Sequence, residues 1–460
     1  MTARAKSPGG TAGLTSDLMA DMARYIRSRG GAGYLVGGAV RDALLGRAFE
    51  NIDVALKDLN PPDLAGFLET HRGFARPVVF KRSGTVFTRG AGVEVEISPL
   101  RGDPARDALE RDFTVNCLYV KLKAGPGRIT RSAVLDPTGR GLADLSANRL
   151  IAYPDSFSPF AADPVRLLRA VRFRATLGFS IAGPLKAAMA RTAYLISRSA
   201  AERVRVELER ILLSARVTSS FRFMQDVGLL EMILPEVAAM ADFDQGSPHH
   251  AYDLLTHTLK ATAYVGPDLT LRLAALLHDI GKIDARRRKG TRSVYYGHEK
   301  ISARSARAIL RRLRFPMRAS EDVAFLIENH MVNYSGSWTD AAVRRFMRKM
   351  DRRLDAVLKL AAADRRAHAP DARMGASVGD LARRIAAIAS DMEAREVSFR
   401  PPLDGRRIME LLGIDEGPDV GRAKEYLCQA VLRRGRAVSE EEALRILRKW
   451  ATLSANGESK

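Results

Sequence analysis

Tyr34-Leu35-Val36-Gly37-Gly38-Ala39-Val40-Arg41-Asp42 and, nine residues further on, Asn51-Ile52-Asp53 decide how the N-terminal third of the chain is read. Tyr34–Val36 predicts a short strand, Gly37-Gly38 a turn, and the residues after it the opening of a helix. A strand that enters a helix through two glycines lets backbone amides and the helix start come close to a triphosphate. Taken alone, such a turn is as often a tight connection. The second stretch continues as an alternation, with Ile52, Val54 and Leu56 on one face and Asn51, Asp53 and Ala55 on the other. A further alternation, Val93-Glu94-Val95-Glu96-Ile97, adds a second acidic strand. If these strands are neighbours, their carboxylates gather beside the glycine turn. Two-metal phosphoryl transfer needs that arrangement, to activate the attacking hydroxyl and to neutralise the departing pyrophosphate.

Upstream, Ser16 is expected to cap a helix that runs to Arg29 and stops at Gly30-Gly31. Residues 1–13 are basic, carry Gly, Ser and Pro, lack the apolar core of a leader, and are expected to be disordered. Downstream, from about Asp163, apolar residues recur at helical spacing almost to the end. Gly246-Ser247-Pro248 and residues 286–290 read as loops, and Pro401-Pro402 as a break before a last helical module. The expected fold class is α+β, a mixed head followed by an all-helical body. Its expected segments are a head over 14–153, a nucleotide- and RNA-binding neck over 154–240, a metal-binding domain over 241–395 and a C-terminal module over 396–460.

A chain of 460 residues exceeds a single core. Its 74 Lys plus Arg against 53 Asp plus Glu give a net charge of +21, which favours a polyanionic partner. The plainer alternative is arginine on solvated helix faces. Cys117 and Cys428 stand far apart without CxxC spacing, so neither a disulfide framework nor a cysteine zinc site is expected, and a reducing cytoplasm fits. No apolar run approaches the ~20 residues of a bilayer span, so no membrane partner is expected.

Five stretches in order resemble the motifs of class II tRNA nucleotidyltransferases (CCA-adding enzymes) and bacterial poly(A) polymerases, whose head looks like that of DNA polymerase β. GGxVRD with DxD is similar to Gly37–Asp42 with Asn51-Ile52-Asp53, and RRDFTxNA to Glu110-Arg111-Asp112-Phe113-Thr114-Val115-Asn116-Cys117. The hinge DPxGGxxDLxxxxxR is similar to Asp136–Leu145 with Arg149, EDPxRxLRAxRF to Ala162–Phe173, and ERxxxE to Glu202-Arg203 with Glu207. The resemblance implies that Asp53 and Glu96, with Asn51 at the remaining catalytic place, hold Mg²⁺. It implies that Gly37, Gly38 and Arg41 receive the triphosphate, that Arg111 and Asp112 receive the ribose, and that Asp42 and Asn116 also belong to the nucleotide-binding set. It also implies that Asp163 and Arg166, backed by Arg169 and Arg172, read the base. Among the departures from the pattern, Asn51 stands for the first catalytic Asp, Glu110 for an Arg and Ala162 for a Glu. An amide oxygen ligates a metal without bringing charge, and Glu50, through a bulged register, or Glu94 and Glu96 are the alternative sources of that charge.

In the second half, His257, His278-Asp279, His298, His330 and Asp364 follow the order His…His-Asp…His…His…Asp of the HD superfamily, which this region resembles. Imidazoles and carboxylates together suit a divalent transition metal or Mg²⁺, and a metal-activated water attacks a phosphate ester. His249 and His250 are read as flanking residues. The C-terminal stretch around Gly405–Gly421 resembles the last helical module of HD-bearing CCA-adding enzymes. Arginines 304, 307, 311, 312 and 314, with 344, 345 and 348, are candidate RNA phosphate contacts. The expected function is addition of CMP and AMP from CTP and ATP to a tRNA or other RNA 3′ end, beside an HD phosphohydrolase. The alternatives are A-only or poly(A) synthesis, or a head that binds RNA without transferring nucleotides.

Overall fold

The computed structural model describes residues 8–49, 51–81, 83–123, 129–243, 252–290, 292–368, 376–395 and 402–455. Glu50, His249 and His250 lie outside them. Helix Pro8–Ser28 begins inside the stretch expected to be disordered, and Ser16 lies within it rather than capping it. Proline suits a first helical turn, where its missing N–H has no partner to lose. Gly30, at φ +74°, ends this helix as expected.

Strands β1 (Ala32–Val36), β2 (Asn51–Lys57), β3 (Val78–Phe80), β4 (Thr85–Gly90), β5 (Val93–Pro99), β6 (Tyr119–Lys121) and β7 (Val134–Leu135) form one sheet in the order β3-β4-β5-β2-β1-β6-β7. β1 pairs antiparallel with β2. β2 pairs parallel with β5, which needs the long crossover supplied by helix Pro61–Arg72 and the β3–β4 hairpin. That pairing sets Asn51 opposite Glu94 and Asp53 opposite Glu96. Ile52, Val54 and Leu56 are buried as the alternation predicts, but Ala55 is buried too, packed with Val36, Leu100, Cys117 and Tyr119. β2 is a central strand, so its second face is also covered at Ala55, and it is open at Asn51 and Asp53 and again at the terminal Lys57.

The head passes into helices without losing contact. β8 (Arg149–Leu150) pairs with β9 (Ser180–Ile181), and the Phe113 and Phe173 rings meet edge to face at 5.8 Å. Residues 1–233 accordingly form one compact unit that includes both the head and most of the expected neck.

Residues 234–460 form a second unit. Residues 286–290, expected as a loop, instead contain β10 (Arg287–Lys289), paired antiparallel with β11 (Arg292–Val294) across a turn at Gly290 (φ +62°). The C-terminal helices share a core of Ile408, Leu427, Leu447 and Trp450. They are joined to helix Asp340–Met350 by the buried Arg344, whose Nε donates to the Leu432 carbonyl at 2.7 Å. Among the described residues no helix is long and apolar enough to cross a membrane.

Candidate functional site

β1 ends at Val36, the turn residue Gly37 has a φ of +64° and a ψ of −126° that suit glycine, and Gly38 opens helix Gly38–Leu44. A Cβ on Gly37 would sit 3.3 Å from Arg111 Nη1 and 3.4 Å from Asp53 Oδ2, so a side chain there would intrude between a cation and a carboxylate. The Gly38 N–H donates to Asp53. Burial raises the Asp53 carboxyl above its ordinary range despite Arg111, Arg169 and Arg41 nearby. Glu96 is raised by partial burial and then by the charge of Asp53 beside it. Two carboxylates that resist joint ionisation mark a place where a divalent cation is favoured. Asn51 and Glu94, both exposed, form the next row on the same face.

Five of the expected nucleotide-binding residues form one hydrogen-bonded chain. Arg41 donates to Asp42 at 2.9 and 2.8 Å and to Asn116 Oδ1 at 2.7 Å. Asn116 donates to Asp112 at 2.8 Å, and Arg169 Nε to the other oxygen of Asp112 at 2.7 Å. Burial opposes charge on Asp112, but Arg169 and Asn116 outweigh it and bring its carboxyl down to about 2. Arg41, Arg169 and Arg172 lie 4.8, 5.6 and 4.1 Å from the ring of Phe173, which shapes all three at once. Arg172 is further held by Glu207 at 2.5 Å, and burial brings its guanidinium down to about 10.

Arg111 is aimed at the glycine turn by residues that the motifs do not name. Its Nε donates to Tyr119 Oη at 2.7 Å and to Asp107 at 3.0 Å, and Tyr119 donates to Asp107 at 2.7 Å. The four-residue spacing of Asp107 and Arg111 was visible in the sequence; the partnership with Tyr119 on β6 needed the fold. The side chains of Asp163 and Arg166 take different partners, although the Arg166 N–H donates to the Asp163 carbonyl at 3.1 Å. Asp163 accepts two bonds from Arg203, at 3.0 and 2.7 Å, while Arg166 donates to the carbonyls of Glu110, Arg111 and Pro159. Gly141 in the hinge cannot carry a side chain, since a Cβ would lie 2.6 Å from the Thr114 carbonyl oxygen.

The second unit brings its whole expected ligand set together. His257, His278, Asp279 and Asp364 form one group, and Asp279, His298 and His330 a second, with ligand atoms within 4.8 Å of one another in each. Asp279 belongs to both. The Nδ1 atoms of His278, His298 and His330 each meet the carbonyl three residues back, at 2.7, 2.8 and 2.6 Å. An Nδ1–H that donates to a carbonyl leaves Nε2 as a bare lone pair, the form a metal takes. The buried Nε2 atoms of His278 and His298 lie 3.2 and 3.3 Å from Asp279 oxygens, yet none of these atoms makes a well-oriented hydrogen bond. The donors fit a divalent cation, or two that share Asp279. Burial works against a proton on His278, but where no cation is bound Asp279 and Asp364 outweigh it and push the imidazole up to about 10, so that a proton on Nε2 takes the place a cation would fill. Burial and His278 bring His330 down to about 4. Lys282, which the sequence reading passed over, pairs with Asp279 at 2.7 Å, and His368 lies ring-to-ring with His257 at 4.7 Å.

Several arginines expected to contact RNA phosphates have carboxylates instead: Arg307 with Glu321, Arg312 with Glu236 and Arg348 with Glu425. Helical periodicity shows which face an arginine is on but not which acid comes to meet it.

The poly A polymerase head domain matches residues 33–106, the probable RNA and SrmB-binding site of polymerase A residues 178–240, and the HD domain residues 251–369. The chain is 34% identical over 439 residues to the CC-adding tRNA nucleotidyltransferase of Thermus thermophilus, covering 90% of this chain and 93% of that one. It is 32% identical over 437 residues to the A-adding tRNA nucleotidyltransferase of Deinococcus radiodurans, covering 91% and 95%. Its fold matches that of the Bacillus stearothermophilus CCA-adding enzyme in complex with CTP, with a TM-score of 0.67, 98% of this chain and 100% of that one covered, and 20% identity. With a relative 34% identical along 90% of its length, and with the head and HD domains in their places, this chain belongs to the tRNA nucleotidyltransferase family.

Proposed function

We propose that this chain extends the 3′ end of tRNA by nucleotidyl transfer from CTP, ATP or both, and that its HD domain hydrolyses a phosphate ester. The observation that carries the first part is the parallel register that sets Asp53 beside Glu96 under the Gly37-Gly38 turn. In this reading Asp53 and Glu96 hold Mg²⁺, which when bound neutralises the triphosphate and favours deprotonation of the attacking hydroxyl. Gly37 and Gly38 leave room for phosphate oxygens, and Arg111, aimed by Tyr119 and Asp107, supplies the fixed positive charge. The chain from Asp42 to Arg169 fixes Asp112 and Asn116 to receive the ribose. Asp163, held by Arg203, and Arg166, held by the backbone carbonyls, read the base. In the HD domain His257, His278, Asp279, His298, His330 and Asp364 hold a divalent transition metal or Mg²⁺. Cys117 and Cys428 are buried and outside any disulfide, which accords with a reducing cytoplasm.

The near-equal identity to a CC-adding and to an A-adding relative favours a second reading, in which the head completes only one part of the CCA end. Purified protein incubated with tRNA lacking CCA, ending in C74 or ending in C75, with labelled CTP or ATP and Mg²⁺, separates the cases. Extension of every substrate supports full CCA addition, and extension of one class supports a partial enzyme. No incorporation on any substrate leaves the head as an RNA-binding module only.

A further inference from the structure

The segment between Asp279 and His298 holds an element that neither proposed activity uses, the β10–β11 hairpin. Arg287, Arg288 and Lys289 are all exposed on β10. No carboxylate among the described residues pairs with them, whereas Arg307, Arg312 and Arg348 of the same unit all have acidic partners. Strand alternation puts Arg287 and Lys289 on one face and Arg288 on the other. A two-stranded ribbon is marginal in water, and like charges crowded along it weaken it further. Such a placement is favourable only when an anion is present.

The hairpin is attached at the rim of the HD centre. Tyr295, the residue after β11, offers its carbonyl to His298 Nδ1 at 2.8 Å, and its ring lies 5.8 Å from Lys282 Nζ, which pairs with Asp279. Tyr296, the next residue, is 72% exposed. Unpaired cations with an open aromatic face are what single-stranded nucleic acid requires, phosphates meeting the cations and an unstacked base the ring. An acidic peptide would use the charges and leave the ring idle, and a duplex offers no unstacked base.

We propose that the β10–β11 hairpin and Tyr296 bind single-stranded RNA at the rim of the HD centre. The binding stands independently of hydrolysis; only its use in feeding the centre rests on the phosphohydrolase reading. The test uses the full chain and a fluorescent oligoribonucleotide of about ten residues, with affinity followed by anisotropy against salt. Arg287→Glu/Arg288→Glu/Lys289→Glu should weaken binding at least about tenfold and flatten the log–log salt slope by about 2, at ~0.7 per phosphate contact. Tyr296→Ala should weaken it about tenfold, and Tyr296→Phe should not, since stacking needs the ring and not the hydroxyl. A 4-thiouridine at the RNA 3′ end should crosslink to the peptide that contains Tyr296. Unchanged affinity and slope in the triple variant, or crosslinks confined to residues 1–233, would overturn the proposal. The melting temperature and nucleotide addition to tRNA should stay unchanged, which shows that the variants fold. Hydrolysis of bis(p-nitrophenyl) phosphate, too small to reach the hairpin, reports on the HD centre separately. RNA bound through the hairpin by a chain inert to that ester upholds this proposal and refutes only the hydrolase reading.

Discussion

Replacing Asp112 with Asn tests whether the hydrogen-bonded chain behind the nucleotide site is held by charge. The wild-type carboxylate is buried and accepts from the Phe113 N–H at 2.8 Å, Asn116 at 2.8 Å and Arg169 at 2.7 Å. Its carboxyl falls from 3.8 to about 2, roughly 2 kcal/mol in favour of the ionised form. A depressed carboxyl contributes its stability above the unfolded value and loses it as pH falls through the folded one. The contribution is therefore complete above about pH 4 and gone near pH 2. Asp112→Asn removes that charge and leaves Arg169, about a third exposed, without its partner, so the cost at pH 7 should stay near the linkage figure, about 2–3 kcal/mol. The variant also sets an NH₂ group against a neighbouring donor. Urea unfolding followed by circular dichroism, with hydrogen exchange read on peptides spanning residues 110–120, gives global and local values. The gap between wild type and variant should narrow steadily from pH 5 to pH 2, and Asp112→Asn/Arg169→Leu should recover part of the loss. A gap of the same size at pH 7 and pH 2.5 would refute the electrostatic account and leave only shape.

Asn51→Asp should raise nucleotide incorporation about 10²-fold if one charge–metal contact is restored, as read by single-turnover extension of tRNA with Mg²⁺; an unchanged or lower rate places the metal elsewhere. Arg203→Ala should loosen discrimination between CTP and ATP, through the two bonds it makes to Asp163, more than it changes the KM for triphosphate. Selectivity equal to wild type would show that Arg203 has no part in base reading. His278→Ala should lower bound divalent metal, measured by mass spectrometry of the purified protein, and abolish hydrolysis of an RNA 2′,3′-cyclic phosphate while leaving tRNA extension intact. Full metal content in that variant would reduce the imidazoles to packing.

What could be read from the sequence was what local pattern encodes. The Gly37-Gly38 turn follows from the residues that frame it, the buried face of β2 from its period of two, and the HD set from its order. Three things needed the fold. The register that joins Asp53 to Glu96 is set across the crossover between β2 and β5, and no window on either strand contains it. The aim of Arg111 depends on Tyr119, which reads in isolation as an ordinary aromatic strand residue. The partners of the arginines are acids far along the chain, such as Glu425 for Arg348, which a periodic basic face does not reveal. The basic run at 286–289 was read as a loop because its charges hide a strand with almost no apolar residues.

The parallel union of β2 and β5 also bears on the order in which the protein matures as it is made. Asp53 and Glu96 stand roughly forty residues apart in the chain, and parallel partners of that separation come together only after the intervening segment has closed its loop. A nascent head therefore lacks the proposed carboxylate pair until β5 has left the ribosome and slotted beside β2, with the β3–β4 hairpin outboard of it. A translation product halted before Val93 carries the glycine turn and Asp53 without the second carboxylate, and holds an open edge on β2 where that strand belongs. A fragment that ends in this stretch is therefore expected to aggregate through that open edge rather than to act as a weak enzyme.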